Sequence, residues 1–184
     1  MYLLLETQRL ILRPIAPEDT DEVFQYRRDP VANQYQDWIP NTVEEVEAFI
    51  AKVSKEIKVP GTWFQFVIIE KETQQIIGDI GIHFIDKELK QSEIGCTLNK
   101  DFQKRGFAGE AIRKVIDYLF RELKQHRIIA SIDPNNNSSI KLLESIGFRK
   151  EAHFVESLWI HGKWVDDLIY AMIEKDWENI HGNL

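Results

Sequence analysis

Hydrophobic and polar positions follow two periods along this chain, and each change of period marks the boundary of a predicted element. Where every second residue is apolar, or where a short apolar run lies between turn residues, the pattern predicts a β-strand. The predicted strands are Arg9–Arg13, Trp63–Glu70, Gln75–Ile85, Gln91–Leu98, Arg127–Ile132, Arg149–Ile160 and Trp164–Ile173. Polar turns separate the second, third and fourth of these strands, which favours an antiparallel meander.

Apolar residues spaced by three and four positions predict helices between these strands. The predicted helices are Glu18–Arg28, a segment running from the capping residue Thr42 to Pro60, Phe107–Lys124 and Asn136–Ile146. The order β-α-α-β-β-β-α-β-α-β-β predicts an α/β (α+β) fold, a mixed and mostly antiparallel sheet with helices on both faces. No repeat or linker interrupts the pattern, so residues 1–184 are expected to form a single domain.

Composition and charge narrow the classes of function. The chain has 184 residues, is 43% hydrophobic and carries a formal net charge of −7. An acidic surface disfavours nucleic acid, whose phosphates require basic residues, and suits a cationic amine, although the charge could equally serve solubility alone. No apolar run approaches the roughly 20 residues that span a bilayer, so no membrane association is expected. Cys96 is the single cysteine, which excludes an intramolecular disulfide and a cysteine-based zinc site. A cytoplasmic protein without a metal is therefore expected.

A glycine-containing loop leads from the strand ending at Leu98 into the longest predicted helix. Backbone amides at a helix N-terminus lack internal partners and lie at the positive end of the helix dipole, so they attract phosphate. The residues that would surround a phosphate here are Lys104, Arg105, Gly106, Phe107, Ala108 and Gly109. The loop lacks the Gly-Lys-Ser/Thr of a Walker A motif and the GxGxxG of a dinucleotide site. Taken alone, it is equally compatible with a simple tight turn.

Two motifs together carry a resemblance to a known family. Gln103–Ala108 fits the pattern Q/R-x-x-G-x-G/A, and the segment from Asp133 to Phe148 fits D-P-x-N-x-x-S followed by G-F. In this order and at this distance they resemble the GNAT (GCN5-related) N-acetyltransferase superfamily, over nearly the whole chain. Arg9–Pro14 and Gly162–Asp166 are similar to segments of its ribosomal-protein-alanine acetyltransferase (RimJ/RimL-like) branch.

The resemblance implies a binding mode for acetyl-CoA, which would be the co-substrate. The pantetheine arm is expected to pair with the backbone of Cys96, Thr97 and Leu98, where a bulge would open a slot between neighbouring strands. An exposed N–H at this point would polarise the thioester carbonyl. The pyrophosphate would lie on the glycine loop, and the Asn136 side chain would contact the cofactor arm.

The resemblance leaves the proton-transfer residues less defined. Many relatives have a tyrosine, the acid that protonates the leaving thiolate, where this chain has Leu143. Ser139 matches the serine proposed for this role in the ribosomal-protein branch, although it could instead bond only its own helix backbone. Glu93 is the first candidate for the general base, because it lies on the strand beside the expected thioester, and Glu156 and Asp166 are the alternatives.

The predicted reaction is direct transfer of an acetyl group to a primary amine in a ternary complex. A small-molecule amine and the α-amine of a peptide or protein N-terminus are both candidate acceptors. A covalent route through Cys96 is disfavoured, because a lone strand cysteine is usually a buried hydrophobic residue. One alternative is a non-catalytic acyl-CoA sensor or structural module, which is favoured by Leu143 in place of the usual proton donor. A weaker alternative is an ATP-dependent phosphoryl transferase. The long closing hairpin would allow a homodimer.

Overall fold

A computed structural model describes residues 3–88 and 90–182 and shows a twisted eight-stranded sheet. Its strands are β1 Leu5–Glu6, β2 Leu10–Pro14, β3 Trp63–Glu70, β4 Ile76–Phe84, β5 Gln91–Leu98, β6 Arg127–Ile132, β7 Arg149–Ile160 and β8 Lys163–Ile173. They lie in the order β1-β2-β3-β4-β5-β6-β8-β7, in which β5 and β6 are parallel and the other neighbours are antiparallel. The mixed, mostly antiparallel sheet and the β3-β4-β5 meander predicted from the sequence are confirmed.

The helices follow the predicted order, with one addition at the end of the described chain. They are α1 Thr20–Arg27, α2 Val43–Lys52, α3 Phe107–Arg121, α4 Asn137–Ile146 and α5 Glu174–His181, with short 3₁₀ turns at Pro17–Asp19 and Lys100–Phe102. The prediction that α2 continues to Pro60 is wrong. Val53 is already extended, with ψ 145°, and Ser54 N–H donates to the Trp63 carbonyl oxygen at 2.8 Å. The apolar period beyond Lys52 therefore belongs to a loop that pairs with the start of β3.

Two hydrophobic clusters cover the two faces of the sheet. Phe66 on β3 packs in the cluster formed with α3, α4 and α5, whereas its neighbour Val67 packs in the cluster formed with α1 and α2. Because adjacent residues of a strand point to opposite faces, the clusters lie on opposite sides of the sheet. The predicted placement of helices on both faces is confirmed.

The parallel strands β5 and β6 diverge partway along their length. Their pairing covers only three positions and ends at Glu93, opposite Ile129. β6 remains paired with β8 from Arg127 to Ile132, while β5 remains paired with β4 as far as Leu98. Each strand therefore follows its other neighbour, and a wedge opens between them toward the N-termini of α3 and α4.

The wedge opens without the bulge that was expected in β5. The register between β4 and β5 is unbroken from Gly78–Leu98 to Phe84–Ser92. The register shifts lie instead between β3 and β4, where Ile77 of β4 is the extra residue opposite Ile68 and Ile69, and in the outer strand β7. Divergence toward different neighbours, rather than an inserted residue in β5, separates the two parallel strands.

The strand β7 forms the outer edge of the sheet, because β8 rather than β7 pairs with β6. Its hydrophobic side chains are largely exposed, including Val155 at 72% and Trp159 at 61%. Trp159 also packs edge-to-face against Trp164 of β8, with ring centroids 5.3 Å apart. Pairing with a second copy, predicted for this hairpin, would use this edge.

Candidate active site

The glycine loop before α3 presents backbone amides that the protein itself does not use. Gln103 N–H donates to the Lys100 carbonyl oxygen, and Glu110 N–H donates to that of Gly106. For the amides between Gln103 and Glu110, the described part of the chain supplies no acceptor. Lys104 and Gly106 both adopt left-handed backbone conformations, with φ 60° and 84°. Left-handed residues beside a helix N-terminus can turn successive N–H groups toward one point, which is the geometry of an anion-binding nest. The loop of residues 104–109 is called the nest below.

The side chains of the loop differ in burial and in charge. Phe107 is buried in the core and anchors the loop, so its contribution to a ligand is its backbone amide. Arg105 lies over the Phe107 ring at 4.8 Å and pairs with the buried carboxylate of Glu70 at 3.2 Å. Lys104 is exposed and Ala108 half-buried. Lys104 and Arg105 therefore place positive charge on the loop, and the charge of Arg105 is shared with Glu70.

Gly109 has a packing reason to lack a side chain. A Cβ at this position would lie 2.9 Å from Arg113 Nη1 and 3.3 Å from Leu142 Cδ1 on the neighbouring helix α4. The close approach of α3 and α4 therefore depends on this glycine. The sequence interpretation, which attributed Gly109 only to phosphate access, missed this contact.

The predicted pantetheine positions lie on the part of β5 beyond its pairing with β6. Thr97 is buried and opposite Asp79, whereas Cys96 and Leu98 are half-buried against the α3 side of the core. The Leu98 carbonyl oxygen accepts a hydrogen bond from Gln103 Nε2 at 3.0 Å, which ties the strand end to the loop. A Cβ on Gly95 would meet no atom within 4 Å, so the sheet face that Gly95 shares with Thr97 is open at this residue.

Cys96 is a poor nucleophile in this setting. Burial, reinforced by the charge of Asp79, raises the pKa of the Cys96 thiol to about 12. At neutral pH the thiolate, which is the reactive form, is therefore scarce. This favours direct transfer over a covalent acetyl-cysteine intermediate.

Glu93 lies at the point where the wedge begins, between β4 and β6. Its Oε2 is 3.7 Å from Nδ1 of His83, directly opposite on β4, and the His83 ring stacks on Trp63 with centroids 5.0 Å apart. Burial raises the pKa of Glu93, and the negative charges of Asp167 and Asp37 act in the same direction, while His83 opposes them. A partly desolvated carboxylate with a raised pKa is suited to accept a proton near neutral pH.

Asp167 is a member of this acidic group that sequence reasoning did not identify. It is 7% exposed and accepts a hydrogen bond from the Ser131 hydroxyl at 2.7 Å. Asp166 was chosen instead, but it lies on the other side of β8, where His153 contacts it at 2.7 Å and the Glu156 amide donates to it. These contacts, the Glu156 amide foremost, lower the pKa of Asp166. The sequence signal for Asp167 was the pair of consecutive carboxylates at positions 166 and 167. Because successive residues of a strand point to opposite faces, only one of the two can lie on the side of Glu93.

The residues predicted at the N-terminus of α4 are close together. Asn136 caps the helix, with its Oδ1 accepting the Ser139 amide at 3.2 Å, so its amide nitrogen is the part that can reach a ligand. Ser139 is half-buried in the first turn, and its hydroxyl forms no hydrogen bond with the described residues 3–88 and 90–182. Leu143 is 4% exposed and packs in the core, so this position offers no proton donor.

A buried ionic cluster lies on the face of β4 and β5 that packs against α1. Asp79 accepts hydrogen bonds from Tyr26 at 2.5 Å, from Arg27 at 2.9 and 2.5 Å, and from Gln65 at 2.6 Å. The Arg27 guanidinium also lies 5.2 Å from the Trp38 ring in the loop after α1. These contacts fix α1 and the following loop against the sheet beside Thr97.

Two features are absent from the part of the chain that the structure describes. No group of three or more His, Cys, Asp or Glu side chains is arranged to hold a metal ion there. Within the same residues, no helix has the length and apolar character needed to cross a membrane.

The wedge and the nest meet at the end of β5, so a ligand with a phosphate on the nest can extend a long, thin arm along the unpaired strand edge. That combination of fold and site defines the class of acetyl-CoA-dependent N-acyltransferases. The sequence profile of the acetyltransferase (GNAT) domain matches residues 9–149, and the chain belongs to that family. The family identified from the two sequence motifs is thereby confirmed.

Individual relatives agree with this assignment. The uncharacterized N-acetyltransferase p20 of Bacillus licheniformis is 35% identical over 173 residues, which cover 94% of this chain and 97% of that protein. The [ribosomal protein uS5]-alanine N-acetyltransferase of Escherichia coli is 30% identical over 118 residues, which cover 64% of this chain and 61% of that enzyme. The crystal structure of a GNAT acetyltransferase from Bacillus anthracis superposes with a TM-score of 0.84 at 29% identity, covering 94% of this chain and 99% of that one.

Proposed function

We propose that this protein transfers the acetyl group of acetyl-CoA directly to a primary amine, and that the α-amine of a peptide or protein N-terminus is the preferred acceptor. The observation that carries the proposal is the junction of the open amides at Lys104–Gly109 with the unpaired edge of β5. The nest would bind the pyrophosphate, and Cys96, Thr97 and Leu98 would pair with the pantetheine arm. The expected compartment is the cytoplasm.

Glu93 is proposed as the general base. The attacking amine must be neutral, and deprotonating an α-amine of pKa about 7.7–8.0 at pH 7 costs only about 1–1.4 kcal/mol, against about 4.6 kcal/mol for a lysine-like amine. Glu93 would take the proton directly or through one water, while Asp167 and Asp37 would attract the cationic form of the acceptor. The lower cost for an α-amine, together with the uS5-alanine substrate named for the Escherichia coli relative, favours an N-terminal acceptor.

Ser139 is proposed to protonate the departing CoA thiolate. After the amine nitrogen attacks the thioester carbonyl carbon, the tetrahedral intermediate expels the thiolate, which then takes the hydroxyl proton. Leu143 cannot supply this proton, whereas Ser139 lies in the first turn of α4 with its hydroxyl available. Solvent would restore the proton to Ser139.

A thiol-release assay tests the reaction and the acceptor class together. Acetyl-CoA is supplied with peptides that have free or blocked N-termini, with a polyamine and with lysine. Release of CoA thiol that requires a free peptide α-amine is the expected result. Thiol release with the polyamine and none with any peptide would contradict the acceptor assignment.

The Glu93→Gln variant tests the base in the same assay. It should lower kcat roughly 100-fold without changing the KM for acetyl-CoA. Glu156→Gln, which removes a carboxylate on the exposed hairpin, is the matched control and should leave kcat unchanged. In the parent chain, kcat/KM should rise with pH through the raised pKa of Glu93, and this limb of the profile should vanish in Glu93→Gln. An unchanged profile would exclude Glu93 as the base.

The same raised pKa has a consequence for stability. Because folding favours the protonated form of Glu93, its contribution is fully present below the ordinary carboxyl pKa and is lost as pH rises through the raised value. Glu93→Gln should therefore unfold at a higher temperature than the parent chain at neutral pH.

A non-catalytic acyl-CoA-binding module is the second candidate function. The specific observation in its favour is Leu143, which is buried at the position of the usual proton donor. Calorimetry separates the two candidates, because such a module would bind CoA while no amine in the panel causes thiol release.

A further inference from the structure

Glu110 lies in the first turn of α3, yet its carboxylate points away from the helix and toward the chain segment between β1 and β2. Its Oε1 accepts hydrogen bonds from the Thr7 hydroxyl at 2.5 Å and from the Arg9 amide at 3.0 Å. Its Oε2 accepts one from Arg9 Nε at 2.7 Å and lies 2.7 Å from Arg9 Nη2. Both oxygens are therefore occupied by residues that are distant in sequence.

Arg9 also contacts the cofactor loop. Its Nη1 donates to the Arg105 carbonyl oxygen at 3.1 Å, and its guanidinium lies 4.4 Å from the centre of the Phe107 ring. Arg9 Nη2 is 3.4 Å from the point that a Cβ on Gly106 would occupy. The Glu110 carboxylate, which bonds the same guanidinium, is therefore a near neighbour of the nest.

A carboxylate at this place competes with an anionic ligand. The positive end of a helix attracts a carboxylate of its own first turn as well as a phosphate, and free amides at the N-terminus are ready acceptor sites for either. A negative charge beside the nest would also repel a pyrophosphate directly. Although partial burial opposes it, the hydrogen bonds from Thr7 and Arg9 lower the pKa of Glu110, so the carboxylate is ionised at neutral pH.

We propose that Arg9, assisted by Thr7, is a positioning residue that neutralises Glu110 and keeps its carboxylate off the cofactor loop, so that the amides of residues 104–109 remain open for the pyrophosphate. This inference rests on the proposed function, because it assumes that the loop binds CoA. Arg9 acts here through Glu110 rather than by ligating the phosphate itself.

A double-substitution cycle distinguishes an Arg9 that neutralises Glu110 from an Arg9 that binds the phosphate itself. Arg9→Gln removes the counterion of Glu110, while the Thr7 hydroxyl and the backbone amide of residue 9 remain as hydrogen-bond donors to the carboxylate. Glu110 then keeps an uncompensated negative charge, so CoA affinity measured by calorimetry should fall roughly tenfold. The KM for acetyl-CoA should rise in parallel, while kcat at saturating acetyl-CoA should remain that of the parent chain. In the Arg9→Gln/Glu110→Gln double variant, which lacks the repelling charge, CoA affinity should recover to within about threefold of the parent.

Salt concentration and a matched control complete the experiment. The loss in Arg9→Gln should shrink as NaCl is raised, because salt screens the repulsion between exposed charges. Arg121→Gln removes an arginine paired with Asp117 at the opposite end of α3, and CoA affinity should not change in this variant. Thermal unfolding of each variant shows whether a loss of affinity merely follows a loss of folding.

Two outcomes would overturn the inference. If Arg9→Gln/Glu110→Gln binds CoA as weakly as Arg9→Gln while remaining folded, Arg9 acts through its own contacts with the loop or the ligand, and Glu110 is not the cause. If Arg9→Gln binds CoA as tightly as the parent chain, the ion pair between Arg9 and Glu110 does not control phosphate access to the loop. If the parent chain itself binds no CoA, the proposed function fails first, which distinguishes the two failures.

Discussion

Gly106 is the loop residue whose backbone conformation gives the clearest test of the phosphate site. It has φ 84° and ψ 0°, a left-handed conformation that costs an L-residue about 1–2 kcal/mol and is especially unfavourable for a β-branched residue. Gly106→Val should therefore lose about this much unfolding free energy if the loop keeps its shape. Because the nearest atom to an added Cβ is Arg9 Nη2 at 3.4 Å, backbone strain rather than a clash dominates the cost.

The same strain predicts a loss of CoA affinity. A loop that relaxes away from the left-handed conformation scatters the amides of the nest, and CoA must then restore that conformation when it binds. At about 1.4 kcal/mol for each factor of ten, a strain of 1–2 kcal/mol corresponds to roughly tenfold weaker binding. The valine methyl groups beside the phosphate would add to this loss.

Gly162 provides the matched control, because it has φ 78° in the turn between β7 and β8 and an added Cβ there would meet no atom within 4 Å. Gly162→Val should lose about as much stability in urea unfolding as Gly106→Val, but calorimetry should show unchanged CoA binding. Equal CoA affinity in Gly106→Val and the parent chain would refute the assignment of the pyrophosphate to this loop.

Three further predictions test other parts of the molecule, and two of them have a control variant. Asp79→Ala should cost about 3–5 kcal/mol in urea unfolding, because it leaves a buried guanidinium without its carboxylate. Lys71→Ala breaks a more exposed pair and should cost less than about 1 kcal/mol, so equal losses would contradict this difference in burial. The Cys96 thiol should be alkylated far more slowly than free cysteine at neutral pH, because its pKa is raised. Cys96→Ala should still release CoA thiol. Rapid alkylation of Cys96 or an inactive Cys96→Ala variant would support a covalent intermediate instead. Ser139→Ala should lower kcat roughly 100-fold with CoA binding retained, whereas Ser138→Ala should not, and equal rates would remove Ser139 as the acid.

The sequence could predict the elements that depend on neighbouring residues. The helix α3 begins at Phe107 and has a continuous apolar face, so its helical period could be recognised from the sequence alone. Gly106 and the Asn136 cap also act within a few residues of their own positions. The two-residue strand β1, which is too short to show a period, and the helix α5 were missed. An eight-residue helix is marginal in isolation, and α5 depends on the burial of Trp177 against the core.

Tertiary structure alone decided the geometry of the wedge. The divergence of β5 from β6 follows from the pairing of β6 with β8, which begins more than 30 residues later in the chain. Sequence reasoning attributed the opening to a bulge in β5, because local pattern does not reveal which neighbour a strand will follow. The β4–β5 register shows that no such bulge is needed.

The sequence by itself determined the order of the main elements, the family and the position of the glycine loop before α3, because periodicity, capping residues and glycine positions are local properties. Only the folded chain decided the surroundings of Glu93 and Glu110. Glu93 has its pKa raised by burial and by Asp167 and Asp37, from two distant segments, while Arg9 reaches Glu110 from β1–β2. Burial and charge pairing depend on distance in space, which a linear pattern does not encode.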